Sequence, residues 1–275
     1  MTYKAAAVQL NSQPDLQHNI EACQKWVEQA AEQGADFISL PENFFFLGDM
    51  STRFAQADEI YAAVYKYLPQ WAINHKVFIQ GGGFPASAGR GKWFNRSVIF
   101  NPTGEEVARY DKIHLFDITL SEEHTYRESK NVAYGSTQVN IVSLENLGNW
   151  GQTICYDVRF PELYRQYQQE GVEVLTLPAA FTDTTGEAHW FPLLRARAIE
   201  NLSYIIAAAQ TGTHGKSRNT FGHACIIDPW GRVVDEAGQE EGIAIAEIDL
   251  EQQAEIRSKL PALTHRRLKK QGFKK

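Results

Sequence analysis

The chain alternates short, strongly apolar runs with longer segments whose apolar residues recur every three or four positions. "KAAAVQL" (4–10) predicts a first strand. Asp15 is then placed to cap a helix whose Ile20, Cys23, Val27, Ala30 and Ala31 share one face, ending at Gly34. "ADFISL" predicts a second strand, stopped by Pro41, and a helix is expected over roughly residues 53–74. The strand "KVFIQGG" follows, and then "NRSVIFNP" and "EEVARYDK", hinged at "NPTG", whose Pro and Gly suit a tight turn.

After a loop-rich stretch from 114 to 136 the second half repeats the style. "TQVNIVSL" and "NWGQTIC" predict strands, Leu163, Tyr164 and Tyr167 mark a helix running to about Gly171, and "VEVLTLP" predicts a strand. A helix through "HWFPLLRARAIEN", a strand "SYIIAAAQ", a hairpin in "HACIIDPWGRVV" and a strand "GIAIAEIDL" complete the order. Near-continuous apolar strands such as "YIIAAA" and "VLTLP" imply sheets covered on both sides. The expectation is α/β, with the two halves loosely similar units. In the absence of a Pro/Gly/Ser-rich linker, one domain is expected over 1–275, with 261–275 as a basic tail.

Composition narrows the function classes. With 43% hydrophobic and 22% charged residues among 275, nothing suggests disorder. The formal charge is −6 and the clearest Lys/Arg cluster is the terminal "HRRLKKQGFKK", which reads as a solvated tail and makes nucleic acid a poor candidate partner. No run approaches membrane-spanning length and the start lacks the long apolar core of a signal peptide, so a cytoplasmic protein without a membrane partner is expected. Three widely separated cysteines argue against a disulfide framework and against a CxxC-type metal site. Cys23 and Cys225 fall on predicted core positions. His114, His189 and His223 lack metal-ligand spacing and read as structural hydrogen-bonders.

Cys155 is different, because it stands where a strand hands over to a helix. Glu42 and Lys112 also follow predicted strands, and strand ends are where distant side chains converge in α/β folds. Singly, each has a plain explanation: a surface carboxylate, a cation paired with Asp111, a core thiol. Together they make a chemical unit. A thiol near 8.5 facing a carboxylate near 4.3 leaves a gap of about four pKa units, roughly 6 kcal/mol, against proton transfer in water. Burial of the carboxylate and a nearby ammonium are expected to narrow it. A carboxylate is a poor base for a serine hydroxyl, so with Glu as base the nucleophile should be Cys, and the Lys can then hold the oxyanion formed at a carbonyl or nitrile carbon.

"SLPENFFF", "RYDKIHLFD" and "ICYDVRFPEL" closely resemble the three signature blocks of the carbon-nitrogen hydrolase (nitrilase) superfamily in their usual order. The flanks "AAFTDTTGEAHWFPLLRARAIEN", "AAAQTG" and "GHACIIDPWGRVV" extend the resemblance over nearly the whole chain. It implies an α-β-β-α sandwich, commonly paired into a homodimer, and no metal or organic cofactor. It implies Glu42 as general base, Lys112 as the oxyanion-side ammonium, Cys155 as nucleophile, the Tyr156 N–H as second oxyanion donor, and Glu128 as the carboxylate that holds Lys112. "VAYG" stands where many relatives carry Pro-Gly, which weakens the match at Glu128.

Tyr156-Asp157 replaces the Trp-Glu of true nitrilases, so the pattern is similar to the amidase branches. Within them it is most similar to the deaminated glutathione amidase group; the ω-amidase group, acting on α-ketoglutaramate, shares most of the blocks. Either substrate is a small amide of 2-oxo acid type. Arg159 is a candidate for the 2-oxo acid carboxylate, or for an internal salt bridge, and Phe181 for a wall of the acyl pocket. Arg218 could meet the far carboxylate of Cys-Gly, a plain loop cation being the alternative. A carbamoyl-amide hydrolase and a non-catalytic member keeping the fold are the rival readings.

Overall fold

The computed structural model describes residues 2–48, 50–119, 125–139, 141–215 and 218–267. Two sheets lie face to face, with helices on both outer surfaces. The larger sheet places Arg218–Phe221, Ala209–His214, Thr2–Leu10, Phe37–Leu40, Phe78–Gly89, Lys92–Phe100 and Glu106–Asp111 side by side, and Gly242–Asp249 also pairs with Thr2–Leu10. The smaller runs Val233–Glu236, Cys225–Ile227, Tyr204–Ala207, Val174–Thr176, Gly148–Gln152, Ile141–Leu144.

Alternation along the first strand explains the layering. Ala5 and Ala7 join Phe37, Trp150 and Val174 between the sheets, whereas Ala6 and Val8 face the outer layer with Ile38. That outer layer is helix α1 (Leu16–Glu32), the short α2 (Met50–Ala55) and α3 (Ala57–His75). Ile20, Cys23 and Val27 of α1 meet Ile60, Val64 and Leu68 of α3 in one cluster. On the opposite side, α4 (Pro161–Gln169) and α5 (Asp183–Asn201) bury Leu163, Tyr164, Tyr167, Trp190 and Leu194 on the smaller sheet. Asp15 caps α1 by accepting from the His18 N–H at 3.1 Å, and Gly34 leaves it at φ +83°. The architecture is the expected α-β-β-α sandwich.

The two sheets are joined by one aromatic and one polar device. Phe37 stacks on Trp150 with ring centroids 4.0 Å apart, from opposite sheets. Gln80 donates to Ser97 at 2.9 Å and Thr176 at 2.8 Å and accepts from Ser39, while Ser97 donates to Gln152. These buried side chains satisfy one another, so a polar layer is tolerated in the core. It links the two sheets through Ser39 and Gln152, which shortly precede Glu42 and Cys155 in the chain.

Several elements differ from expectation. "SYIIAAAQ" is two strands, Tyr204–Ala207 in one sheet and Ala209–His214 in the other, and the chain changes sheet at Ala208. The expected helix over 53–74 is α2 and α3, with a break at Gln56. Within the loop-rich stretch Asp117–Thr119 and Thr125–Arg127 pair as a hairpin. A sixth helix, α6 (Leu250–Lys259), starts inside the segment expected as strand because Asp249 accepts from the Glu251 and Gln252 N–H groups. Most of the basic tail, 268–275, lies outside the described residues.

Candidate active site

Glu42 follows the C-terminal end of Phe37–Leu40 and is 4% exposed. Its backbone is pinned on both sides: its carbonyl accepts from Gln210 Nε2 at 3.1 Å, and the next N–H, of Asn43, donates to the Gly83 carbonyl at 2.7 Å. Gly83 sits at φ +61°, and a Cβ there would lie 2.6 Å from Glu42 Cγ. Only glycine allows that approach.

Lys112 emerges from Glu106–Asp111, is 2% exposed, and donates from Nζ to Glu42 Oε1 at 3.0 Å and to Glu128 Oε2 at 3.0 Å. Asn95 Nδ2 donates to the same two carboxylates, at 2.7 Å to Glu42 and 3.1 Å to Glu128. Backbone adds to both: the Ala180 N–H donates to the other Glu42 oxygen, Oε2, at 3.0 Å, and the Phe116 N–H donates at 2.7 Å to the same Glu128 Oε2 that Lys112 engages. The buried Glu42 and Lys112 and the partly buried Glu128 are thus hydrogen-bonded to one another and to the backbone, which makes the burial sustainable.

Cys155 opens a 3₁₀ turn (Cys155–Arg159) at φ +47°, a left-handed conformation that costs a non-glycine residue about 1–2 kcal/mol. Its N–H donates to the Pro178 carbonyl at 3.0 Å. Asp157, fully buried, secures the turn by accepting from the Ile154 N–H at 2.9 Å, the Tyr110 hydroxyl at 2.7 Å and the His114 N–H at 3.1 Å, with His114 Nδ1 2.7 Å away. The thiol stands beside Glu42 and the Ala180 N–H.

The charge states differ from the expected narrowing. Burial would raise the Glu42 carboxyl, but Lys112, Arg218 and Arg53 together hold it well below the usual carboxylate range. Burial, and then the Glu42 charge, push the Cys155 thiol well up, more than Lys112 pulls it down. Burial opposes the charge on Lys112, yet Glu128 and Glu42 outweigh it and keep the ammonium firmly protonated. At rest the trio is carboxylate, ammonium and neutral thiol. Transfer to Glu42 therefore accompanies attack: negative charge developing on the acyl oxygen draws on Lys112, and Glu42 becomes more basic as it loses that share.

These groups line a partly enclosed pocket walled by Phe116, Tyr126, Tyr156 and Phe181. Tyr156 and Phe181, named from sequence, are in the wall. Arg159 is not: its guanidinium lies 3.3 Å from His189 Nδ1 and backs the rings of Tyr156 and Phe181, 5.8 and 5.3 Å from their centroids. Arg218 does line the pocket, as does Arg53, which from sequence is only the first residue of the helix expected over 53–74. Asn95 and Asp157 were also passed over. An Asn opening a strand and an Asp two residues past the Cys were the only signals. Among the described residues no cluster of three or more His, Cys, Asp or Glu is arranged to hold a metal ion.

The model of the carbon-nitrogen hydrolase family matches residues 4–258. The chain belongs to the carbon-nitrogen hydrolase family. Among its carbon-nitrogen hydrolase relatives, a Synechocystis protein named deaminated glutathione amidase is 46% identical over 266 residues, covering 96% of this chain and 98% of that one. The crystal structure of the Caenorhabditis elegans NitFhit protein superposes with a TM-score of 0.92 at 35% identity, over 97% of this chain and 65% of that one. The amidase from Nesterenkonia sp. AN1, in a mutant showing Michael addition of acrylamide at the active site cysteine, superposes with a TM-score of 0.79 at 25% identity, over 94% of this chain and 98% of that one. Among the described residues no helix is long and apolar enough to cross a membrane.

Proposed function

We propose that the protein hydrolyses the amide bond of deaminated glutathione, releasing 2-oxoglutarate and Cys-Gly through a thioester on Cys155. The observation that carries this reading is the buried cluster in which Glu42 faces the Cys155 thiol while Lys112 bridges Glu42 and Glu128. The 46% identity to a protein of that name over nearly full length supports the substrate.

In the first half-reaction the Cys155 sulfur attacks the amide carbon and its proton passes to Glu42. Charge gathers on the acyl oxygen, held by Lys112 and the Tyr156 N–H. Glu42 returns the proton to the amide nitrogen, the carbon–nitrogen bond breaks, and Cys-Gly leaves as an amine. In the second half-reaction water attacks the thioester as Glu42 takes its proton. The tetrahedral intermediate collapses, Glu42 protonates the departing sulfur, and 2-oxoglutarate is released with the thiol restored. Glu128 fixes Lys112 throughout, Phe181 walls the acyl group, and Arg159 adds positive charge behind that wall.

We further propose a cytoplasmic location and a homodimer as the assembly. Exposed apolar side chains on α5 and the adjoining hairpin, Ile199 at 46%, Trp230 at 53% and Val234 at 49%, support self-association, which light scattering tests.

The test of function is product release from deaminated glutathione and from α-ketoglutaramate by wild type and Cys155→Ala. Release of Cys-Gly that the substitution abolishes supports the proposal. Preference for α-ketoglutaramate moves the protein to ω-amidase chemistry with the same residues, and turnover of neither refutes both substrates.

A further inference from the structure

The pocket holds two guanidinium groups that the reaction scheme does not use. Arg53, from α2, is 6% exposed, and its buried Nε and Nη2 find no hydrogen-bond partner among the described residues. Arg218, at the start of Arg218–Phe221, is half-buried, and its buried Nε is likewise unmatched. Both line the same pocket as Cys155. A buried guanidinium without a partner is costly, and such donors are normally satisfied.

The pocket's own carboxylates do not supply the partner. Glu42 is engaged by Lys112, Asn95 and the Ala180 N–H, and Glu128 by Lys112, Asn95 and the Phe116 N–H. The ionised groups are then Glu42 and Glu128 against Lys112, Arg53 and Arg218, one net positive charge in a low-dielectric site. Arg53 and Arg218 also repel each other. Burial and then Arg218 lower Arg53, with Glu42 and Glu128 opposing, to about 10, so it stays a cation at neutral pH.

We propose that Arg53 and Arg218 form a carboxylate clamp, and that the enzyme selects amides bearing a carboxylate held between these two guanidiniums. A carboxylate offers the planar acceptor pair that a guanidinium fork matches, and it would occupy the three unmatched donors while relieving the repulsion. This inference rests on the proposed reaction for the identity of the ligand. Deaminated glutathione carries one carboxylate at each end, one leaving in 2-oxoglutarate and the other in Cys-Gly. The chemistry is shared, and the two products separate the sources.

The test is calorimetric binding of 2-oxoglutarate and of Cys-Gly to wild type, Arg53→Lys and Arg218→Met, with circular dichroism to establish that each variant is folded. Arg53→Lys keeps the buried charge but loses the fork. One product is expected to bind each variant about tenfold to a hundredfold more weakly, the size of a charge-assisted contact. Weaker 2-oxoglutarate places the clamp at the acyl end, and weaker Cys-Gly places it at the amine end. In parallel, kcat/KM for deaminated glutathione divided by that for neutral pentanamide should fall at least tenfold in each variant. Equal affinities across the three proteins, or no binding of either product to wild type at millimolar concentration, overturns the clamp. Absence of turnover of deaminated glutathione by wild type refutes the reaction instead, and the binding comparison still decides the clamp.

Discussion

Lys112 Nζ lies 3.0 Å from Glu42 Oε1 with both side chains almost wholly buried, and the two charges act in opposite directions on the neighbouring Cys155 thiol. The Glu42 charge is, after burial itself, the main influence raising the thiol, while Lys112 lowers it. Removing the carboxylate therefore has opposite effects on acidity and on turnover.

Glu42→Gln should make Cys155 a stronger acid, because the Glu42 charge that raises the thiol is removed while Lys112, which lowers it, remains. Thiolate absorbance against pH, taken as the difference from Cys155→Ser to remove Cys23 and Cys225, should show an earlier midpoint in the Gln variant. Amide turnover should fall by about 10²–10⁴, the usual loss of a general base. An unmoved thiol midpoint would show that Glu42 does not face the sulfur.

Asp157 is predicted to position the nucleophile without touching substrate. Its carboxylate holds Ile154, Tyr110 and His114 around the turn that puts Cys155 at φ +47°. Asp157→Ala leaves those buried donors unmatched, and stability should drop by about 2–4 kcal/mol, several charge-assisted hydrogen bonds being lost. With the folded variant at low temperature, kcat should fall while KM stays nearly unchanged. Asp157→Asn, which retains an acceptor oxygen, should recover part of both losses. A rise in KM alone would place Asp157 in substrate binding instead.

Gly83→Ala tests how tightly Glu42 is seated. The new Cβ would stand 2.6 Å from Glu42 Cγ, on a residue at φ +61°. Left-handed backbone alone costs alanine about 1–2 kcal/mol, and the clash must also move Glu42 or the strand end. The expected result is a loss of activity larger than this loss of stability explains, at least tenfold in kcat in the fully folded variant, because proton transfer is sensitive to small displacements. Denaturant titration beside kinetics separates the two.

The reactive trio was legible because each member follows a strand and stands in a motif with distinctive neighbours: "LPEN", "YDKIH", "ICYD". The supporting residues were not. Asn95 and Asp157 owe their importance to hydrogen bonds between residues 33 to 53 positions apart, or 43 and 47 positions apart, and no local pattern encodes these. Arg53 carries the weakest signal of all, a cation at the start of a helix, the commonest kind of solvated position. The layers followed from alternation in Thr2–Leu10, yet the change of sheet at Ala208 did not. An apolar run covered on both faces reads the same in either sheet, and only the pairing separates them, Tyr204–Ala207 lying beside Val174–Thr176 and Ala209–His214 beside Thr2–Leu10. The direction of the Glu42 shift was also beyond sequence, because it depends on Arg53 and Arg218 reaching the site beside Lys112, and that of Cys155 depends on how deeply the thiol is buried against Glu42.

His214 supplies a pH dependence of stability that is separate from catalysis. It is 1% exposed, with Nδ1 2.7 Å from the Ser12 carbonyl and Nε2 2.6 Å from the Thr220 hydroxyl, a pairing that a neutral ring with hydrogen on Nδ1 satisfies. Burial, with Arg218 in support and against the Ser12 contact, lowers its pKa to about 4 from an ordinary value of 6.5. Between those values the unfolded chain binds a proton that the folded protein does not, so stability from this group is present above about 6.5 and is lost as pH falls toward 4. By pH 5 the loss should be about 2 kcal/mol. Urea unfolding at pH 7 and pH 5 measures it, and in His214→Gln, which keeps hydrogen-bonding capacity but does not titrate, the difference should shrink by that amount. An equal pH difference in both proteins would mean that the acid sensitivity arises elsewhere, with the depressed carboxylate of Glu42 contributing only below the ordinary carboxylate range.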